Sequence, residues 1–344
     1  MVSKESRFCA LLASGRDSAS PRAGCAFLVL SCALAGCSTV SIEQPDVEGP
    51  RVAEDVCEFE RDPEPEGLSG ISRIGGDRYF SVDDRGGILH ELEIVQNEDG
   101  EIGSCTVKRS IRLEGRTDLE GCAYDPLDGR VWVSDEHDTS VRQFDPETGR
   151  ETARVAVPEV FGKNIRRNRS FEGLTIAPDG YRMYVANEDT LACDGKPADA
   201  AAGGVVRIQE FVRAGKGARW MPTRQFRYRT DPVEGAGFRG TAISGVAGLC
   251  ATGDGMLLVL EREMSQKNPL FPSFRGRLYE IGLDTDAIEP GKRLLWDEDT
   301  MFANYEGICL GPELKNGCRS LVLVSDGGGK AEERLLVLAL SAGK

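Results

Sequence analysis

The chain has 344 residues, of which 40% are hydrophobic, only 7% are aromatic and 41 are glycine. Abundant glycine and short apolar runs favour an all-β protein over a helical one. The formal net charge of −14 argues against a nucleic-acid partner or an anionic membrane surface, because both need a basic protein face. A cation is the more natural small partner.

The first 37 residues have the features of an export signal. Arg16 and Arg22 precede the apolar run Cys25–Gly36, which is too short to span a bilayer and has the length of a signal h-region. The run ends in LAGC and resembles the lipobox of bacterial lipoproteins. That resemblance implies acylation of Cys37, a lipid anchor in the cell envelope and, because Ser38 follows, an outer membrane facing the periplasm. A plain cleaved signal is the alternative.

An acid-glycine step precedes a short apolar strand at four places along the chain: Glu66, Glu120, Glu172 and Glu306. A fifth unit aligns with the one containing Glu172 when Ala247 takes the place of the glutamate. Repeats of about fifty residues indicate a propeller, a solenoid or an array. Four short runs per unit, bounded by Gly, Pro and Asp, favour the blade of a β-propeller.

We therefore predict an all-β fold, a β-propeller of five four-stranded blades, closed by an N-terminal strand. The last unit supplies three runs, so the segment Val52–Phe59 is expected to add its fourth strand. A six-bladed ring is the alternative, with a degenerate blade around Gln209–Tyr228. The predicted domain spans residues 52–344 after a linker at residues 38–51, and we expect a monomer.

Two sets of acids are expected at one mouth of the propeller channel. The first strand of each blade lines the channel, so a glutamate just before it lies at the mouth. Acids also end the second strands, and antiparallel pairing returns them to the same face. The predicted metal ligands are Glu66, Glu120, Glu172, Glu306, Asp84, Asp135, Glu188 and Asp326.

Carboxylates packed together repel one another, so a partner must offset their charge. Hard oxygen ligands suit Ca²⁺ or Mg²⁺, and the presence of only two histidines argues against zinc or copper. Alternatively, each glutamate latches one blade to an arginine of the next. Arg166, Arg167 and Arg262 could hold an anion bidentately, or pair with the surrounding acids. The predicted catalytic residues are Glu120, Glu172, Arg167 and Arg262.

Other chemistries have little support in the sequence. The chain contains no GxSxG, GxxxxGK[ST] or HExxH motif, which argues against a serine hydrolase, a P-loop enzyme and a zinc protease. No cysteine pair has CxxC spacing, which argues against a zinc or redox site. Cys309 and Cys318 flank a predicted hairpin turn and could form a disulfide or remain two separate thiols.

Several segments together resemble the phytase-like family, described as "esterase-like activity of phytase": EGLSGI, RRNRSFEGLTIAPDG, ISGVAGLCATGDGMLLVLERE with GRLYEI, and NYEGICLGP with LVLVSD. The resemblance implies hydrolysis of a phosphate ester or another ester. Similarity to calcium-dependent propeller phytases and to lactonase-type propellers implies a metal at the channel mouth. Ala247 and the glycine-rich VSDGGGKAEERLL depart from the family pattern.

Two functions remain open from the sequence. One is a lipid-anchored, cation-dependent hydrolase of a small anionic ester. The other is a non-catalytic binding or scaffold propeller at the cell envelope. Lactonase-type chemistry is a minor third possibility.

Overall fold

The structure is a computed structural model that describes residues 51–55, 65, 67–115, 118–234, 242–265, 273–301, 303–327 and 333–340. Twenty strands and one short helix lie in these residues. Strand pairing is antiparallel throughout. The strands form five four-stranded sheets. This confirms the predicted all-β class.

Four of the five blades consist of four consecutive strands, and the fifth borrows its last strand from the start of the chain, β1 (Arg51–Asp55). Blade 1 contains β2 (Leu68–Gly75), β3 (Arg78–Asp83), β4 (Ile88–Gln96) and β5 (Ile102–Arg112). Blade 2 contains β6 (Leu119–Asp125), β7 (Arg130–Asp135), β8 (Ser140–Phe144) and β9 (Glu151–Arg154). Helix α1 (Glu159–Asn164) precedes blade 3, which contains β10 (Phe171–Ile176), β11 (Arg182–Asn187), β12 (Val205–Val212) and β13 (Met221–Arg229). Blade 4 contains β14 (Ala242–Ala251), β15 (Met256–Ser265), β16 (Ser273–Gly282) and β17 (Lys292–Met301). Blade 5 contains β18 (Asn304–Glu313), β19 (Arg319–Asp326), β20 (Leu335–Leu340) and β1.

The five sheets close into a ring around their first strands. β2 contacts β6, β6 contacts β10, β10 contacts β14, β14 contacts β18, and β18 returns to β2. The five-bladed prediction is confirmed. The six-bladed alternative is wrong, because Gln209–Tyr228 falls in β12 and β13, the third and fourth strands of blade 3. The long interval in the sequence repeat reflects the extended connection between β11 and β12.

The N-terminal strand completes the last blade, as predicted. β1 pairs antiparallel with β20, with Arg51 opposite Leu338 and Asp55 opposite Leu335. The strand covers Arg51–Asp55, and the remainder of the predicted segment Val52–Phe59 lies outside the described residues. The ring is therefore closed by backbone hydrogen bonds between segments from opposite ends of the chain.

The apolar core is divided into five clusters, one at each contact between neighbouring blades. Between blades 3 and 4, for example, Tyr184 and Val206 pack with Val259 and Ile281, all four fully or almost fully buried. Burial of this kind contributes about 25 cal/mol per Å² of apolar surface. Because each cluster needs both blades, the ring is stabilised as a unit.

The cysteines of the described segments are unpaired. Cys105, Cys122, Cys250 and Cys309 are buried, whereas Cys193 is exposed and Cys318 is half-buried. No disulfide joins Cys309 to Cys318. No helix within the described ranges is long and apolar enough to cross a membrane. The predicted signal segment, including Cys37, lies outside those ranges.

Removal of residues 1–55 should destabilise the propeller, because β20 would lose its edge partner. We expect the free energy of unfolding to fall by about 2–4 kcal/mol, since about four ladder hydrogen bonds of about 1 kcal/mol each are lost. The exposed edge, LLVLAL, should also promote self-association. Urea unfolding and size-exclusion chromatography measure the two effects.

The matched control is a chain lacking residues 1–44, which retains β1. It should unfold like the full chain. Equal stability of the two truncated chains would contradict the proposed role of β1 in closure.

Candidate functional site

A ring of five glycines fixes the geometry of the channel. In each blade the first strand bulges, and the bulge ends at a glycine that contacts the next first strand. A Cβ added to Gly121 would lie 2.5 Å from the carbonyl oxygen of Glu172, and one on Gly307 would lie 2.2 Å from the carbonyl oxygen of Ser69. Only glycine permits so close an approach of two backbones. The glycine ring consists of Gly70, Gly121, Gly173, Gly248 and Gly307.

The residues directly before these glycines form the first-strand ring. They are Ser69, Glu120, Glu172, Ala247 and Glu306. The three glutamates are buried, and the Ser69 hydroxyl donates a hydrogen bond of 2.7 Å to Glu120 Oε2. Glu120 and Glu172, two predicted catalytic residues, are therefore brought to one ring with Glu306, whereas blade 4 contributes the uncharged Ala247.

The structure corrects the alignment of the first repeat: Ser69, not Glu66, is the residue of blade 1 that corresponds to Glu120 in blade 2. β2 pairs through Leu68 opposite Asp83 and then Ile71 opposite Ser81, so Ser69 and Gly70 form the bulge. Glu66 lies three residues upstream and outside the described residues. The sequence EGLSGI carries two glycine steps, and the second is the structural equivalent, because Gly70 contacts the backbone of Glu120.

A second-strand ring lies at the same mouth. The residue before each bulge pairs with the end of the second strand, as with Leu119 and Asp135 in blade 2. In each blade the residue that follows this paired second-strand residue belongs to the second-strand ring. The members of the ring are Asp84, Glu136, Glu188, Arg262 and Asp326. The expectation that both sets of acids share one face therefore holds for Asp84, Glu188 and Asp326.

Asp135 does not belong to the second-strand ring. It is fully buried within blade 2, where the Arg142 guanidinium donates to its Oδ2 atom. Glu136, which the sequence analysis missed, occupies the ring position. Successive side chains of a strand point to opposite faces of the sheet, so only one of the neighbours Asp135 and Glu136 can face the mouth. The sequence does not show the strand register that decides between them.

Burial and mutual repulsion raise the pKa values of the ring carboxyls. Desolvation raises the pKa of Glu120 and of Glu172 well above the ordinary value, and the charge of a ring neighbour adds to the shift in each case. Desolvation, with the charge of Asp326, raises the pKa of both Asp84 and Glu306 to about 7. The Arg262 charge opposes the shift at Glu306. Near neutral pH this mouth is therefore short of positive charge.

Arg262 supplies a built-in cation on one side of the mouth. Its guanidinium donates to Glu188 of blade 3 and to Glu306 of blade 5, and it lies 3.4 Å from Asn304 Oδ1. Burial opposes the charge of Arg262, but these carboxylates raise its pKa. Blade 4 thus replaces an acid pair with an alanine and an arginine, and the arginine bridges the two neighbouring blades.

The opposite side of the mouth has no such cation. Among the described residues, no arginine or lysine lies within 4.0 Å of the carboxylates of Glu120, Glu136 and Glu172, and no hydrogen-bond donor reaches the Glu172 carboxylate. Two overlapping groups share Glu136, and within each the carboxylate oxygens lie within 4.8 Å of one another. The first group is Asp118, Glu120 and Glu136, and the second is Glu136, Glu172 and Glu188.

This donor set fits a hard divalent cation. Oxygens bound to one Ca²⁺ at about 2.3–2.6 Å lie at most about 5 Å apart, which agrees with the 4.8 Å grouping. Asp84 Oδ1, in the same ring, is buried and has no hydrogen-bond partner among the described residues. The spacing of the groups around Glu136 fits Ca²⁺, although Glu188 of the second group already pairs with Arg169 and Arg262. Oxygens bound to one Mg²⁺ lie at most about 4.2 Å apart, so Mg²⁺ would require the carboxylates to move closer together.

The family model "Phytase-like: Esterase-like activity of phytase" matches residues 64–327, which include both rings of acids. The chain belongs to this phytase-like family. No curated protein sequence matches the chain.

Solved propeller structures also resemble this phytase-like chain at low identity. A glutaminyl cyclase from Myxococcus xanthus has 11% identity and a TM-score of 0.43, with 86% of this chain and 97% of the other covered. A gluconolactonase from Xanthomonas campestris has 15% identity and a TM-score of 0.36, with 82% and 78% covered. A streptogramin B lyase has 12% identity and a TM-score of 0.35, with 80% and 95% covered.

The predicted arginines of this phytase-like propeller have different surroundings. Arg166 donates to the carbonyl oxygens of Thr190 (2.9 Å) and Gly195 (2.8 Å) and so holds a loop. Arg167 is exposed. Arg169, which the sequence analysis missed, lies 2.6 and 2.7 Å from the two carboxylate oxygens of Glu188.

The turn before blade 3 explains why Arg169 reaches the mouth. Asn168 adopts a left-handed conformation with φ 53°, and Arg166 pairs with Arg169 across this turn. Asparagine tolerates that conformation better than most residues. The sequence RRNR offers three arginines, and only the backbone turn selects the one that points inward.

The cation-free protein should lose stability as the pH rises from 5 to 8. In this window the unfolded chain has released protons that the folded chain still holds on Asp84 and Glu306, with pKa values of about 7, and on Glu333, with a pKa raised by burial to about 8. The folded state then binds more protons, so a higher pH favours unfolding. We expect a loss of about 2 kcal/mol or more, because one pKa unit corresponds to about 1.4 kcal/mol.

Urea unfolding in EDTA at several pH values measures this dependence. The Asp84→Asn variant should show a shallower loss, because it lacks one of the titrating carboxyls. Stability that is constant or increases between pH 5 and 8 would contradict the charge excess at the mouth.

Proposed function

We propose that this phytase-like propeller is a divalent-cation-dependent hydrolase of phosphate esters or related small anionic esters, acting at the acidic channel mouth. The observation that carries the proposal is the carboxylate cluster on the side of blades 2 and 3, where Glu120, Glu136 and Glu172 have no arginine or lysine partner among the described residues. Ca²⁺ is the favoured cation and Mg²⁺ the alternative. The proposed ligands are drawn from Asp118, Glu120, Glu136, Glu172 and Glu188.

The chain's own residues would divide the work of binding and proton transfer. When bound, the cation supplies a positive charge that polarises an ester or phosphoryl oxygen. Arg169 is partly exposed beside Glu188 and could orient the anionic group of the substrate. Glu306, with a pKa of about 7, could exchange a proton with water or a leaving alkoxide near neutral pH.

The second candidate function is a binding or scaffold propeller without catalysis. Arg262 favours it, because this arginine already pairs with Glu188 and Glu306 and so acts as a latch between blades. Ala247 favours it as well, since it removes one potential ligand from the first-strand ring. In this function the acids would stabilise the ring or contact a partner.

Cation binding can be tested by thermal unfolding of the chain lacking residues 1–37, in EDTA and with Ca²⁺ or Mg²⁺. A cation that binds only the folded state raises its stability by about 2.7 kcal/mol at a hundredfold excess over the dissociation constant. Glu136→Gln should abolish the increase, because Glu136 belongs to both groups of ligands. Glu159→Gln, a change on the exposed side of α1, is the matched control and should retain it.

Hydrolysis of 4-nitrophenyl phosphate and 4-nitrophenyl acetate then separates the two functions. Cation-dependent turnover that Glu136→Gln removes and Glu159→Gln retains would support the hydrolase. Cation stabilisation without turnover of either ester would favour the binding propeller. Absence of any stabilisation by Ca²⁺ or Mg²⁺ would contradict the cation site.

We also propose that Cys37 carries a lipid anchor that holds the propeller at the bacterial envelope, in the outer membrane facing the periplasm. The support is the LAGC sequence after the apolar run. Cys37→Ser should move the protein from the outer-membrane fraction to another fraction, and Cys32→Ser, in the same run, should leave it in place. An unchanged distribution of the Cys37 variant would overturn the anchor.

A further inference from the structure

The channel has a second mouth with the opposite character. Each first strand runs from the acidic mouth, past the glycine ring, to the far end of the channel. There the five blades surround a cavity of about 250 Å³. At the glycine ring the open space is only about 10 Å³, about the minimum for one water molecule. The two mouths are therefore separate chambers for any organic ligand.

The wall of the far cavity has slightly more apolar than polar surface. Ile71, Leu174, Ile176, Pro178 and Leu310 contribute to it, with the ring of Tyr124 on one side. The two charged residues that line it are both arginines, Arg73 and Arg319. No carboxylate belongs to the described lining. In a chain with a net charge of −14, this is a local reversal of sign.

Arg73 is held in place but retains free donors. Its Nε atom donates to the Gly76 carbonyl (2.9 Å) and its Nη1 atom to the Gly311 carbonyl (3.2 Å), so it spans blades 1 and 5. A guanidinium has five N–H groups, and these bonds use two of them. Within the described segments Arg73 has no carboxylate partner.

Arg319 begins β19 and supplies the second positive charge. Its side chain is exposed, and it forms no ion pair with any described residue. Across the sheet its backbone lies opposite Leu340 on one side and Glu313 on the other, and no ion pair joins the Arg319 and Glu313 side chains within 4.0 Å. The charge is positioned by a regular strand and not by a loop. Two guanidinium groups that line one partly apolar cavity and form no ion pair with a described carboxylate would attract and retain an anion.

We propose that this far mouth binds a small organic monocarboxylate with an aromatic or branched aliphatic body. The carboxylate would bind Arg73 and Arg319, and the body would fill the partly apolar cavity. The volume corresponds to about eight water molecules at about 30 Å³ each, below the range of about 300–1,000 Å³ that suits drug-sized ligands. The site is independent of the acidic mouth and of the proposed hydrolase activity.

The test uses 4-fluorobenzoate as the probe, observed by ¹⁹F NMR with the chain lacking residues 1–37. Saturable binding is expected at millimolar concentration or below. The neutral 4-fluorobenzamide and the cationic 4-fluorobenzylammonium should bind at least about tenfold more weakly, because a lost charge-assisted contact corresponds to about 1.4 kcal/mol or more. Equal binding of the three probes would overturn the proposal.

Variants locate the bound probe. Arg319→Met and Arg73→Met should each weaken 4-fluorobenzoate binding by about tenfold or more. Arg150→Met removes an exposed arginine that does not line the cavity, and it should leave binding unchanged. Because Arg73 also joins blades 1 and 5, Arg73→Met could weaken binding by destabilising the fold. Its probe affinity is therefore compared with that of the parent only if the two proteins have the same thermal midpoint. Arg319 has no such role, so unchanged binding in Arg319→Met would by itself overturn the site.

The same titration distinguishes this site from the acidic mouth. EDTA and the Glu136→Gln variant should leave 4-fluorobenzoate binding unchanged, whatever their effect on cation binding or ester hydrolysis. Loss of probe binding in EDTA or in Glu136→Gln would place the probe at the acidic mouth and overturn the proposal.

Discussion

The close approach of five first strands at the glycine ring is the constraint on which the rest of this propeller depends. At Gly70, Gly121 and Gly307, backbone atoms of the next blade lie within 2.5 Å of the place where a Cβ would stand, so these strands can converge only if each presents a glycine. At Gly173 and Gly248 the nearest atoms belong to the side chains of Leu249 and Ile308, at 2.7 and 3.0 Å. The residue before that glycine is then forced to the channel mouth. Three of these residues are glutamates, and their burial follows from the backbone geometry and not from any preference of a carboxylate for the interior.

Convergence has an electrostatic cost that the chain offsets unevenly. On the side of blade 4, Arg262 bridges Glu188 and Glu306 and neutralises part of the charge. On the side of blades 2 and 3, the carboxylates of Glu136 and Glu172 have no arginine or lysine partner in the described part of the chain. A proton or a divalent cation can satisfy that side. The raised pKa values and the proposed cation site are therefore two consequences of one crowding of charge.

The glycine ring also divides the channel into two chambers of different chemistry. Three of the five residues directly before the glycines are glutamates, whereas most of the residues after the glycines are apolar and line the far cavity together with Arg73 and Arg319. The open space at the ring is only about 10 Å³, about the minimum for one water molecule, and is too small to hold an organic ligand. The two proposals therefore assign a cation site and an anion site to opposite ends of one channel.

The sequence by itself determined the all-β class, the number of blades, the closure by an N-terminal strand and the presence of acids at one mouth, because these follow from local periodicity and from repeated glycine steps. Only the tertiary structure decided which residues occupy each ring. Ser69 replaced Glu66, Glu136 replaced Asp135 and Arg169 replaced Arg167, since a bulge, a pleat and a left-handed turn each shift the register by a few residues. The pairing of Arg262 across two blades also required the structure, because its partners lie 74 and 44 residues away in the chain.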